Sequence, residues 1–189
     1  RFDGILAISA ATEAAIRALH PGYRGHLNFV HCGVEREYFI AGAIAAAARR
    51  ERGLRRSDPK FLTIGALIAR KNFGWLLEVM AAWVDGGRPG TLSIVGEGNE
   101  RPALETAIAR LNLESRVHLL GQVDHAEKLR LLAEADVFLF PSQMEGFGFA
   151  PAEAMAFGVP AMVSNRGSLP EVVTDGQDGF VESIDHGVE

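Results

Sequence analysis

Short runs of consecutive apolar and β-branched residues alternate with longer stretches in which apolar residues recur at helical spacing. The runs are Gly4 to Ile8, Leu27 to His31, Phe61 to Ile64, Thr91 to Val95, Val117 to Leu119, Val137 to Phe140, Ala161 to Val163 and Gly179 to Val181. Several are apolar throughout instead of alternating, which suits strands covered on both faces. Phe73 to Asp85 places Leu76, Leu77, Met80, Ala81 and Val84 at helical spacing and stops at Gly86-Gly87, so it predicts an amphipathic helix with a glycine stop. Arg101 to Leu111, with Leu104, Ile108 and Leu111, and Ala126 to Ala135, with Leu129, Leu132 and Ala133, read the same way. Strands alternating with helices predict βαβ units with right-handed crossovers, hence an α/β fold with a doubly wound, mostly parallel, Rossmann-like sheet.

The N-terminal part differs. Ser9 to His20 predicts a helix capped by Ser9 or Thr12 and ended by Pro21-Gly22,. Ala41 to Arg52 predicts a second helix, rich in Ala and Arg, and the polar stretch Gly53 to Pro59 reads as a linker or loop,. The main α/β domain is expected to begin between Val30 and Phe61. A length of 189 residues suffices for one domain with a real core,. A net charge of -5 does not favour nucleic acid or an anionic membrane,; the best local basic patch is Arg70-Lys71. Cys32 is the only cysteine, so an internal disulfide is impossible and a reducing compartment is compatible. Ile40 to Ala48 is apolar but too short to span a bilayer. The first residues do not read as a signal peptide. The chain opens at Arg1 without an initiator Met and stops soon after a strand-like run, which suggests a piece of a longer protein.

Ligands of open parallel sheets bind beyond the carboxyl ends of the strands, and four such ends are informative. After Phe61 to Ile64, the turn Gly65 to Asn72 delivers Arg70 and Lys71 to a helix start, suited to phosphate or simply a solvated pair. After Thr91 to Val95, Gly96-Glu97-Gly98 allows close backbone approach to a ligand, but making the turn is the favoured reading. After Val117 to Leu119, the loop around Gly121-Gln122 can hold a base through its backbone, while Asp124 can cap the next helix; the two are compatible. After Val137 to Phe140, Ser142 to Pro151 sets Glu145 just before a helix and Glu153 within its first turns, with Gly146 and Gly148 between them. Two carboxylates can then face one cleft, or both can simply favour the positive helix start.

The run from Pro141 to Pro160, with Glu145 and Glu153 separated by seven residues and followed by Ala154-Met155-Ala156, Gly158 and Pro160, resembles the family 4 (group 1) retaining glycosyltransferases of GT-B fold. The resemblance continues through Gly167 to Val173, Asp175-Gly176 and Gly179 to Val181, and upstream at Ile8 to Thr12, Gly33-Val34 and Phe39. The glutamate pattern is specific in this context; the glycine turns are not. The resemblance implies that residues 1–30 end an N-terminal acceptor domain and that 31–189 form a C-terminal nucleotide-sugar domain, truncated before its final helices. It implies a UDP- or GDP-linked sugar donor, with Glu153 accepting from the ribose hydroxyls and Glu145 beside the donor sugar. Lys71, helped by Arg70, would neutralise the diphosphate. Gly65 and the backbone at Phe147, Gly148 and Phe149 would line sugar and phosphate, with Leu120 and Gln122 at the base. Neither a metal nor another cofactor is expected, since lysine and helix N–H groups serve instead, and the histidines show no zinc-like spacing. The acceptor would be a sugar or lipid-linked sugar held by the missing domain, and no nucleic acid is expected. The implied location is cytoplasmic, with a peripheral place at the inner membrane face compatible with it.

One position departs from the pattern. The family usually has an arginine directly after the glycine that aligns with Gly65, five positions before the lysine; here it is Ala66. Two alternatives to the transferase therefore stay open: a relative that binds nucleotide-sugar without transferring it, and a doubly wound regulatory domain with no nucleotide site. Gln122-Val123-Asp124 and Lys128 resemble the loop of some GDP-mannose-dependent members. The isolated chain is expected to be inactive in transfer.

Overall fold

The computed structural model describes residues 3–52 and 57–185, so most of the stretch read as a linker lies outside it. Strands β1 (Gly4–Ala7) and β2 (His26–Phe29) form a two-stranded parallel sheet, joined by helix α1 (Ala10–Leu19). Helix α2 (Arg36–Arg52) leads to a six-stranded sheet built from β3 (Lys60–Ile64), β4 (Thr91–Val95), β5 (Val117–Gly121), β6 (Val137–Phe140), β7 (Ala161–Ser164) and β8 (Gly179–Glu182). Every pairing in it is parallel, in the order β5-β4-β3-β6-β7-β8. The connecting helices are α3 (Phe73–Asp85), α4 (Arg101–Arg110), α5 (His125–Glu134), α6 (Phe149–Ala156) and α7 (Leu169–Val172).

Two apolar cores flank the sheet. One joins Leu76, Leu77 and Met80 of α3 and Leu104 of α4 to Leu92 and Ile94 of β4. The other joins Tyr38 of α2, Leu131 and Leu132 of α5, and Ala154 of α6 to Leu62, Phe138 and Phe140. Helices on both faces explain why the strands read as apolar throughout. The eight expected strands and the α/β doubly wound class are all present.

The local chemistry explains the boundaries. Ser9, not Thr12, caps α1, accepting from Thr12 N–H at 3.0 Å, and Asp124 caps α5 through Glu127 N–H at 2.8 Å. Helix α2 starts at Arg36, earlier than the alanine run at Ala41 suggested, because Tyr38 anchors its first turn in the core at 4% exposure. Its Gly42 lies so close to α6 that a Cβ there would stand 2.3 Å from the Ala156 carbonyl oxygen. Gly96-Glu97-Gly98 serves backbone packing: a Cβ on Gly96 would lie 1.9 Å from Gly65 O, and Gly96 N–H donates to Gly121 O at 2.8 Å. Among the described residues, no helix is long and apolar enough to cross a membrane.

Candidate functional site

The sheet order reverses between β3 and β6: β4 and β5 extend one way, β7 and β8 the other. The loops after β3 and β6 therefore flank the crevice where ligands of such sheets bind. They are bonded to each other, since Gln143 N–H and Ser142 Oγ both donate to Arg70 O, at 2.7 and 3.2 Å. Arg70 and Lys71 sit in a 3-10 turn (Ala69–Lys71) ahead of α3, not at the first turn of α3 itself. Asn72, at φ 59°, is the left-handed joint between turn and helix, a conformation that asparagine tolerates better than most residues.

Lys71 is not a solvated surface residue. Its side chain is 10% exposed, lies over the Phe140 ring at 4.5 Å and pairs with Glu145 Oε1, itself 11% exposed. The same oxygen accepts from Ser142 Oγ at 2.8 Å and lies 3.2 Å from Arg70 Nη1, whose guanidinium also reaches Met144 O at 2.9 Å. Two cations thus share one carboxylate, leaving the cluster a net positive charge and spare N–H donors on both. The Glu145 peptide is braced as well: its carbonyl accepts from Ser168 N–H and Oγ at 3.3 and 3.2 Å. Gly167, at φ 58°, fits against it so closely that a Cβ would lie 2.6 Å from the same oxygen.

Glu153, on α6, belongs to a second cluster. Its Oε2 lies 2.6 Å from Lys128 Nζ, and that ammonium sits over the Tyr38 ring at 5.1 Å. Burial works against the Lys128 charge, but hydrogen bonds to Glu153 and Tyr38 outweigh it and hold the ammonium above the usual lysine range. Burial pushes the Tyr38 phenol up. A lysine held high contributes stability fully below its unfolded value, near 10.4, and loses it only as pH rises through the folded value. Lys128→Met should therefore cost about 1–2 kcal/mol at pH 7, a gap in thermal midpoint that closes above roughly pH 10.5; melting curves across that range check it.

Neither glutamate lies in the first turn of α6. Each pairs with a lysine, and α6 begins at Phe149 behind Gly148 with no side-chain cap. Gly148 has φ 102°, and a Cβ on it would meet Leu169 Cδ2 at 2.9 Å. Among the described residues, the N–H groups of Phe147, Gly148 and Phe149 donate to no protein acceptor. Gly65 lies beside Lys71, with room for 3.5 Å between a Cβ and Lys71 Cε. Ala66 is exposed at the mouth of the same loop. Gln122 is exposed, while Leu120 lines a groove with His118 and Arg130 beneath α5. Sequence reasoning missed Tyr38 and Ser142. A serine just past a strand and a tyrosine in the first turn of an alanine-rich helix carry no signal until the fold brings them to the glutamates.

Residues 45–185 match the family described as "Glycosyl transferases group 1". The glycogen synthase of Mycobacterium tuberculosis is 40% identical over 178 residues, 94% of this chain and 41% of that protein. A GDP-mannose-dependent phosphatidylinositol monomannoside mannosyltransferase of Corynebacterium glutamicum is 27% identical over 92% of this chain and 48% of its own length. The chain thus spans less than half the length of these relatives. Among solved structures, sucrose-phosphate synthase of Thermosynechococcus elongatus superposes with a TM-score of 0.82 at 27% identity, over 98% of this chain and 46% of that one. The Anabaena HepE protein, solved with UDP and glucose, has the same fold, with a TM-score of 0.78 at 24% identity over 96% of this chain and 49% of that one.

Proposed function

Since the chain belongs to the group 1 glycosyl transferases, we propose that it is the donor-holding part of a retaining, family 4 enzyme that transfers a sugar from a UDP- or GDP-linked donor. The observation that carries this is the Lys71–Arg70–Glu145 cluster at the sheet's switch point. A net positive cluster beside free N–H groups at the start of α6 suits a diphosphate. Lys71 and Arg70 hold the diphosphate and stabilise the negative charge that grows on it as the sugar–oxygen bond breaks, a term often dominant in such catalysis. The N–H groups of Phe147, Gly148 and Phe149 complete that cradle, taking the place a divalent cation fills elsewhere. Glu145 lies on the sugar side, where a carboxylate stabilises positive charge developing at the anomeric carbon. Glu153 accepts from the ribose hydroxyls, and the backbone at Leu120 and Gln122 holds the base. One relative is named for GDP-mannose and one structural neighbour was solved with UDP, so both bases belong in the test.

Calorimetric titration with UDP-glucose and GDP-mannose tests the site directly. Glu153→Ala should weaken nucleotide-sugar binding by about tenfold, the worth of a charge-assisted hydrogen bond. In the full-length protein, Glu145→Ala should abolish transfer, and normal turnover by that variant would refute its role. A second reading is favoured by one observation: Ala66 is exposed where the family usually has arginine. On this reading the chain, lacking that charge, binds nucleotide-sugar without transferring it. Ala66→Arg should raise affinity for the diphosphate by roughly 5–10-fold and restore turnover; if neither rises, the missing arginine is not what limits this protein.

A further inference from the structure

We propose that Glu171 is a positioning residue that ties the β1–α1 unit to the loop carrying Glu145. Its carboxylate accepts from Ala10 N–H at 2.8 Å and from Ala11 N–H at 2.7 Å. His31, just past β2, brings Nε2 within 3.6 Å of the same group. Ala10 and Ala11 open α1, and their N–H groups are donors that a helix cannot satisfy internally. The local cap, Ser9, serves Thr12 N–H, so the cap is finished by a carboxylate remote in sequence.

The other half of the tie comes from the same short segment. Glu171 N–H donates to Ser168 O at 2.9 Å, and Ser168 donates through N–H and Oγ to Glu145 O. Returning from the loop, Gly146 O accepts from Thr12 Oγ1 at 3.3 Å, and Ile8 Cδ1 lies against Gly146. The result is a closed ring: α1, Glu171, Ser168, the Glu145–Gly146 peptide, Thr12 and α1 again. Opening it at Glu171 frees the start of α1 and also loosens the peptide that aims the Glu145 carboxylate. The ring stands on geometry alone; its effect on sugar binding rests on the donor reading of Glu145.

Three variants of the whole chain test it: Glu171→Ala, Glu171→Gln and Thr12→Val, each checked by thermal melting for a folded state. Amide hydrogen exchange at residues 10–12 and at Ser168, whose N–H is bonded to Glu145 O, is followed beside affinities for UDP-glucose against UDP, and GDP-mannose against GDP. Glu171→Ala should speed exchange roughly tenfold at both places. It should cut nucleotide-sugar affinity by about tenfold while the free nucleotide changes less than about twofold. Glu171→Gln, with one acceptor oxygen, should fall between wild type and alanine. Thr12→Val should speed exchange at Ser168 with Glu171 still on α1. Faster exchange confined to 10–12 in the Glu171 variants, with Ser168 unmoved in all three, would make Glu171 only a helix cap and overturn the proposal. If exchange couples the two places but wild type binds neither nucleotide-sugar, the ring stands and the donor reading fails. If wild type binds donor and all three variants bind it equally well, the ring has no bearing on the site and the positioning role is lost.

Discussion

Lys71→Met is expected to lower the thermal midpoint by roughly 5–10 °C and to weaken nucleotide-diphosphate binding by about 30–100-fold. Adding Glu145→Gln should recover the first loss and not the second. Removing one member of a buried ion pair typically costs about 3–5 kcal/mol, because the survivor is left charged in a poor solvent. Here about 2–3 kcal/mol is expected, a step below that range, because Arg70 and Ser142 still reach the same Glu145 oxygen. A glutamine at 145 carries no charge to strand, so the double variant should melt near wild type. On the proposed donor reading its affinity should stay low, because the ammonium assigned to the diphosphate is gone. Parallel recovery of stability and binding would mean that Lys71 acts only through Glu145. Melting and calorimetry on the four species of the cycle decide between the two.

The second large effect is expected at a residue outside the Lys71–Glu145 cluster. Gly96→Ala should cost more than about 3 kcal/mol, enough to unfold a marginal chain. Two penalties coincide there. The φ of 139° suits glycine alone, and the added Cβ would stand 1.9 Å from the carbonyl oxygen of Gly65. Neither neighbour can yield cheaply, since Gly65 opens the turn to Arg70 and Lys71 and its N–H is bonded to Val95 O at 2.9 Å. Gly74→Ala is the control: a Cβ there meets nothing within 4 Å, and α3 should gain up to about 1 kcal/mol. Urea unfolding of both variants checks the pair.

The fold was legible because burial on both faces leaves unbroken apolar runs, and the parallel order follows from helices between them. The glutamates were legible from their spacing around a Gly-x-Gly turn. What holds them was not. Ser142, Tyr38 and Glu171 come from a strand end, a helix start and a four-residue helix, and each meets its partner only through tertiary packing. Helix α2 was read late because alanine gives little periodicity, although its small side chains are what allow close approach to α6. Helix α7 was missed outright, being a single turn begun with Leu169-Pro170. The burial of Lys71 was not legible for a physical reason: charge next to charge in a glycine turn usually means solvent, and only a carboxylate supplied by another loop makes its burial tolerable,.

The contact of Gly42 with Ala156 O has a reach beyond packing. Helix α2 has one indexing point along its length, a place where a missing side chain lets two backbones mesh like a notch and a tooth. Tyr38 lies four residues earlier, on the same face of the helix. The phenol's position over Lys128 is therefore set by counting residues from that notch. One residue gained or lost between them would swing the phenol by about 100° and break its register with Lys128 and Glu153, with no substitution at either of them. The spacing from Tyr38 through Phe39, Ile40 and Ala41 to Gly42 is therefore as much a part of how Glu153 is held as Lys128 itself.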